Sequence, residues 1–256
     1  MATFASTNLN SPNGLAFDAL GNLYAANVGD NTISKFNSAG GYLSNITTNA
    51  NAPYGLAFDS SGNLYAANYG NSTISKFNSS GAYVSSGSIP STNLIGPVGL
   101  AFDSSDNLYA ANPSTISKFD SSGAYVSSIS GNLDGPYGLA FDISGNLYAA
   151  NNNDNTISKF NSSGAYLSSI SGNLGGPNGL AFDSSGNLYA ANPSNSTISK
   201  FNSSGSFLTS WSTGFAKPSF LAFKTVSVPE PSTYALAAIA TGVMAYLARR
   251  RKARTA

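Results

Sequence analysis

Three short segments recur five times in the same order, and this periodicity constrains the fold more tightly than any other feature of the chain. Gly-Leu-Ala-Phe-Asp stands at 14–18, 55–59, 99–103, 138–142 and 179–183. Asn-Leu-Tyr-Ala-Ala-Asn follows at 22–27, 63–68, 107–112, 146–151 and 187–192, and Thr-Ile-Ser-Lys-Phe at 32–36, 73–77, 115–119, 156–160 and 197–201. Successive first glycines lie 41, 44, 39 and 41 residues apart, and Phe-Leu-Ala-Phe-Lys from Phe220 is a degenerate sixth copy. A period of this length marks a structural unit that cannot bury its faces alone and stacks on its neighbours.

Each unit holds four short runs rich in Leu, Phe, Tyr, Ile and Val, in the first unit Gly14–Asp18, Asn22–Asn27, Thr32–Asn37 and Tyr42–Thr47. The runs are too short for stable helices, and the Gly, Asn, Ser and Pro between them are turn formers. Four strands in about 40 residues, repeated around an axis, describe a propeller blade. Stacked blades bury both faces of most strands, so large Leu15 and Phe17 point one way and small Ala16 the other, with Tyr24 and Ala26 opposed to Leu23 and Ala25. Thr3–Thr7 followed by Ser11-Pro-Asn-Gly14 mimics a fourth strand and its exit loop, while 219–228 supply an innermost strand of the same blade. The expected fold is all-β: over residues 1–228, a β-propeller of five full four-stranded blades plus an incomplete sixth closed by both termini. A five-bladed ring with spare ends is the alternative.

Composition narrows the chemistry. The 256 residues include no Cys and no His, which removes disulfides, thiolate metal sites and the commonest general base. Glu230 is the single glutamate, so no catalytic pair in the body uses one. Each Asp of the first segment opens Asp-x-x-Gly-Asn or, in the third unit, Asp103-Ser-Ser-Asp106-Asn107, which is turn chemistry rather than a carboxylate ring. The lysines of the third segment read as stems laid over apolar surface with the amine in water. The loops at Asp30 and at Asn151–Asn155 carry too few carboxylates for calcium. No cofactor, metal site or catalytic residue is therefore expected, and the chain reads as not an enzyme.

The tail is another region. Residues 1–228 carry 7 Lys, no Arg and 10 Asp, net −3, whereas 229–256 carry Arg249, Arg250, Arg251, Lys252 and Arg254 against Glu230, net +4. A mildly acidic body without arginine lacks the basic stripe that phosphates need, so nucleic acid is not a partner. Pro229-Glu230-Pro231 precedes Tyr234–Ala248, 15 residues without a charge, and then the basic cluster. This pattern predicts a single C-terminal transmembrane helix over about 232–248, with a basic tail at 249–254 on the membrane boundary.

Pro229, Glu230 and Pro231, the short apolar run and the arginine cluster together resemble a PEP-CTERM sorting signal. The resemblance implies an exosortase-type partner that cleaves near Pro229–Glu230–Pro231. It also implies membrane attachment before processing and a location in the cell envelope or outside. Met1–Asn13 has neither the basic start nor the apolar run of a signal peptide, and with a chain that begins inside a blade this points to missing upstream sequence.

The repeats resemble the NHL-repeat family of β-propellers over residues 3–224. That family usually ends the second strand on an acidic residue with an arginine soon after; here Asn27 and Thr32 stand there, as do their equivalents in the other units. The units differ most just before the first glycine, at Asn13, Tyr54, Val98, Tyr137 and Asn178, and after the second strand at Tyr69. In a propeller these positions share one face around the axis, so they form the candidate ligand face. The sequence thus points to an exported, non-catalytic propeller of the envelope or extracellular matrix that binds polysaccharide or an envelope protein. A propeller enzyme of lyase or lactonase type, or a purely structural scaffold, is the alternative.

Overall fold

Large residues on one strand face and small ones on the other require sheets stacked face to face, and the computed structural model of the chain has this arrangement. It describes residues 8–212, 214 and 217–223 with their side chains, and the backbone course of 2–3, 235–240 and 243–248. The five repeats form five four-stranded antiparallel blades, at 12–46, 53–89, 100–130, 136–171 and 180–212. Within a blade the strands pair in chain order; in the first they are Pro12–Phe17, Leu23–Asn27, Thr32–Phe36 and Tyr42–Ile46. Register places Leu15 opposite Ala25 and Tyr24 opposite Lys35. Leu23–Asn27 is buried throughout, whereas Tyr42–Ile46 is exposed except at Ile46, so each sheet runs from a dry interior to a wet rim.

Blades meet large on small. Ala16, Tyr24, Ala26 and Ile33 of the first blade pack on Leu56, Leu64, Ala66 and Phe77 of the second. The equivalent residues meet between the second and third, third and fourth, and fourth and fifth blades. At five junctions a tyrosine meets a phenylalanine of the next sheet edge-on: Tyr24–Phe58, Tyr65–Phe102, Tyr109–Phe141, Tyr148–Phe182 and Tyr189–Phe223, with ring centroids 4.9–5.1 Å apart. Edge-to-face pairs of this kind add about 0.5–1.5 kcal/mol each beyond the area they bury.

The innermost strands approach too closely for side chains. A Cβ on Gly14 would overlap the carbonyl oxygen of Tyr54, one on Gly55 that of Val98, one on Gly99 that of Tyr137, and one on Gly138 that of Asn178. A Cβ on Gly179 would stand 2.6 Å from the Cα of Phe220. Each first-segment glycine is therefore a point where the next sheet's backbone passes.

The sixth sheet corrects the expectation. It has four strands rather than an incomplete set, ordered Ala2–Thr3, Val243–Ala248, Ala235–Ala240 and Pro218–Phe223. The predicted transmembrane helix over about 232–248 is replaced by two of these strands, and membrane anchoring through such a helix falls with it. No helix among the described residues is long and apolar enough to cross a membrane. The physical reason is that an uncharged apolar run reads equally as buried strand or as helix. Ala240 pairs with Val243 across Thr241-Gly242, a length and composition suited to a hairpin. Pro229, Glu230, Pro231, Arg249, Arg250, Arg251 and Lys252 lie outside the described residues.

Gly99→Ala drives a methyl group into the Tyr137 carbonyl. The expected result in chemical denaturation is a loss of about 1–3 kcal/mol, as for other overpacked sites, with strand content unchanged by circular dichroism.

Candidate functional site

The two ends of the ring differ because the two kinds of connection in an up-and-down sheet emerge on opposite sides. One end carries the turns between first and second strands and between third and fourth. Asp18 there accepts from the backbone N–H of Leu20 and Asn22 through Oδ1, and from Asn22 Nδ2 through Oδ2, while Gly21 takes φ 77°. Asp106, which replaces that glycine in the third blade, also sits at positive φ, 56°, and accepts from the backbone N–H and hydroxyl of Ser60 in the second blade.

The lysines are not the free solvated amines expected from the sequence. Lys35, Lys76, Lys118, Lys159 and Lys200 each place Nζ 3.4–3.9 Å from Asp18, Asp59, Asp103, Asp142 and Asp183. Each also lies 5.0–5.2 Å from the centroid of the tyrosine between them in the sheet. Register explains it, since Tyr24 stands between Ala16, two residues before Asp18, on one side and Lys35 on the other, which brings an amine and a carboxylate two strands apart onto one ring. Burial pushes the carboxyls of Asp103, Asp142 and Asp183 up, but hydrogen bonds from Asn107, Asn146 and Asn187 and the lysine charges outweigh it and hold them low. Burial pushes Lys118, Lys159 and Lys200 down, and the tyrosine hydroxyls and carboxylates more than reverse it. A cleft of ≈ 130 Å³ near Asp59, Lys76, Asp106 and Asp120 opens on this end. Asp103, Asp142 and Asp183 are thus weakly basic carboxylates, and Lys118, Lys159 and Lys200 keep their protons.

The opposite end carries the candidate ligand face. Here a buried asparagine closes the second strand of every blade. Asn27 Oδ1 accepts from Asn10 N–H, its Nδ2 donates to Thr32 and Ser34, and the Ser34 hydroxyl donates to the Asn8 carbonyl. Asn68, Asn112, Asn151 and Asn192 repeat this knot. Its trace in the sequence is the Asn that ends each second segment and the Thr-x-Ser that opens each third segment, five residues on in four repeats and three in the third.

Above this framework Tyr54, Tyr69, Val98 and Tyr137 come together. The rings of Tyr54 and Tyr69 lie 5.0 Å apart at 43°, and Tyr54 and Tyr137 pack on the cluster that contains buried Val98. The backbones at Tyr54 and Tyr137 are the ones that pass over Gly14 and Gly99, and the Tyr69 ring lies over Gly96. Burial raises the Tyr137 phenol above its ordinary value, as do Tyr54 and Tyr69, and burial with Tyr69 does the same to Tyr54. Asn178 stands apart from this group, its Oδ1 accepting from Asn152 Nδ2 at 2.6 Å. Asn13 contributes a buried Oδ1 that has no hydrogen-bond partner. Among the described residues no group of three or more His, Cys, Asp or Glu could hold a metal ion. The arrangement offers hydrogen-bond donors, an unpaired acceptor and aromatic faces.

Residues 227–252 match the PEP-CTERM protein-sorting motif. No curated protein matches the chain. Solved structures of the same architecture include virginiamycin B lyase from Staphylococcus aureus, 14% identical over 98% of this chain and 88% of that one, TM-score 0.70. A gluconolactonase from Xanthomonas campestris is 17% identical over 94% and 86%, TM-score 0.79. A chain of a nidogen–laminin complex is 19% identical over 86% and 87%, TM-score 0.77. The chain is thus a β-propeller with a PEP-CTERM-like C-terminal region. The expectation of a non-catalytic module is corrected by this comparison: the architecture carries a lyase and a gluconolactonase, so the fold does not exclude turnover.

The carboxylates with lowered pKa contribute stability that is complete above their unfolded value of about 4 and is lost as pH falls through their folded values. The lysines with raised pKa contribute stability that is complete below about 10.4 and is lost as pH rises through theirs. The melting temperature is expected to be flat between about pH 5 and 9 and to fall on both sides in a calorimetric pH series.

Proposed function

We propose that this chain is an exported propeller enzyme of the lyase or lactonase type, acting on a small cyclic substrate at the tyrosine-lined mouth of the axis. The observation that carries the reading is the convergence of Tyr54, Tyr69 and Tyr137 on one site, two of them with phenols pushed above their ordinary pKa. A phenol that keeps its proton at neutral pH is a hydrogen-bond donor. Aimed at a lactone carbonyl, it stabilises the negative charge that develops on oxygen as water adds to the carbon; the proton that the water loses passes through solvent to the alkoxide released when the ring C–O bond breaks, so the phenol keeps its own. Tyr137 is the proposed donor, Tyr54 and Tyr69 orient the substrate ring, and Asn13 offers its unpaired acceptor to the site. Val98 supplies the apolar floor.

The repeat pattern supports assignment to the NHL type within the propellers. Residues 229–256 are the proposed sorting region behind a body of 1–228, with Pro229, Glu230 and Pro231 offered to an exosortase-type enzyme and Arg249, Arg250, Arg251 and Lys252 as its basic end. The motif match at 227–252 supports this partner and delivery to the envelope or beyond.

Hydrolysis of aldonolactones and simple cyclic esters by the full chain, followed by pH-stat, tests the catalytic reading. The parent protein is expected to exceed the buffer rate, and Tyr54→Phe with Tyr137→Phe to lower kcat/KM about 100-fold, the scale of losing oxyanion donors. Parent rates equal to buffer, or a double variant as fast as the parent, would sink it.

A further inference from the structure

The third repeat departs from the other four at one place. In the first, second, fourth and fifth, four residues join the second strand to the third, 28–31, 69–72, 152–155 and 193–196; in the third, only Pro113 and Ser114 do. The longer loop folds back on the loop that brings the chain into its own blade. Its N–H groups donate to that loop's carbonyls: Val28 to Ser11 and Gly29 to Asn10, Tyr69 to Ala52 and Gly70 to Asn51, Asn152 to Gly135 and Asn153 to Asp134, and Ser194 to Gly175. Its acidic or amide side chain takes the threonine hydroxyl, Thr32 to Asp30, Thr73 to Asn71, Thr156 to Asp154 and Thr197 to Asn195, at 2.7–2.8 Å.

Pro113 stands where that acceptor would be. Thr115 Oγ1 is left with one long contact, from Asn112 Nδ2 at 3.4 Å. Among the described residues, no N–H of a folded-back loop covers the carbonyls of Ile95 and Gly96, the counterparts of Asn10 and Ser11. A cleft of ≈ 300 Å³ lies here, lined by Ser91, Asn93, Thr115, Ser117, Leu94 and Ile95 among others, with no charged residue.

We infer that this cleft binds a small neutral polyhydroxylated ligand of monosaccharide size. In the first, second and fourth blades the loop supplies donors to the two carbonyls, in the fifth, where Pro193 has no N–H, to one, and in all four an acceptor to the threonine hydroxyl. A diol supplies both roles, because each hydroxyl donates once and accepts twice. Ile95, 72% exposed, and buried Leu94 offer an apolar side to the C–H face of a sugar ring. A charged ligand would be desolvated without a counter-charge. The volume sits at the lower end of the range of about 300–1,000 Å³ for small-molecule sites.

The test is calorimetry and saturation-transfer NMR on the full chain with glucose, galactose, mannose and myo-inositol, and with galacturonate as the charged comparator. At least one neutral probe is expected to bind at millimolar concentration. Thr115→Val, and Asn93→Gly at a residue with φ 66°, each remove one polar group without changing the backbone. Each is expected to weaken binding about tenfold while leaving the melting temperature in place. Thr73→Val, the matched change in the second blade, is expected to leave affinity unaltered. The inference is overturned if no neutral probe binds, if galacturonate binds more tightly than all of them, or if Thr115→Val and Thr73→Val have the same effect on binding.

Discussion

Backbone-to-backbone approach around the axis governs this structure. Where Gly14, Gly55, Gly99, Gly138 and Gly179 stand, the neighbouring sheet's main chain occupies the volume a Cβ would need. That approach sets the tilt and spacing of the blades, and the other layers must match it. The second strands then lie close enough that only Ala25 and Ala26, or their equivalents, fit between larger residues, and these alanines are fully buried. Toward the aspartate-turn end of these same inner strands the gap is wide enough for a tyrosine of one blade's second strand to meet a phenylalanine of the next blade's first strand edge-on.

Two polar networks finish each blade, and their separation decides where variation is tolerated. At one end the aspartate, tyrosine and lysine satisfy one another across three strands. At the other, a buried asparagine gathers a threonine, a serine and the incoming loop. Buried groups of this kind are costly to leave half-satisfied, so both sets recur unchanged. The positions free to differ are those just outside them. Tyr54, Tyr69 and Tyr137 occupy such positions, and so does the shortened connection at Pro113 and Ser114.

Much of this was legible in the residues themselves. The period near 40 and the turn residues between apolar runs led to four-stranded blades, and Asp-x-x-Gly-Asn led to aspartates that cap their own turns. The lysines were misread because a strand position shows only which face a side chain leaves from. Whether an amine then meets water or a carboxylate two strands away depends on cross-strand register, here Tyr24 opposite Lys35. The tail was misread for a different reason. Tyr234–Ala248 has no polar face, and without one, helix and buried strand share a signature. Tyr54 and Tyr137 were visible as departures from the repeat, but their contact comes from ring closure, which brings the second and fourth blades' residues to one mouth.

The chemistry open to such a ring follows from what its titratable groups are already doing. Every first-segment aspartate is engaged by its turn and its lysine, and Lys118, Lys159 and Lys200 are held in the charged form. Their charges are therefore spent on the fold. The phenols of Tyr54 and Tyr137 are different: burial keeps their protons on, yet neither faces a carboxylate or an ammonium partner among the causes that shift it. A site made of such groups cannot abstract a proton at neutral pH, but it can hold one where an oxygen is gaining charge. That asymmetry favours reactions whose barrier lies in stabilising a developing oxyanion, with solvent as the nucleophile, over eliminations that need a strong base. Of the two chemistries in the proposed function, ring opening of a cyclic ester therefore fits these groups better than base-initiated lyase chemistry.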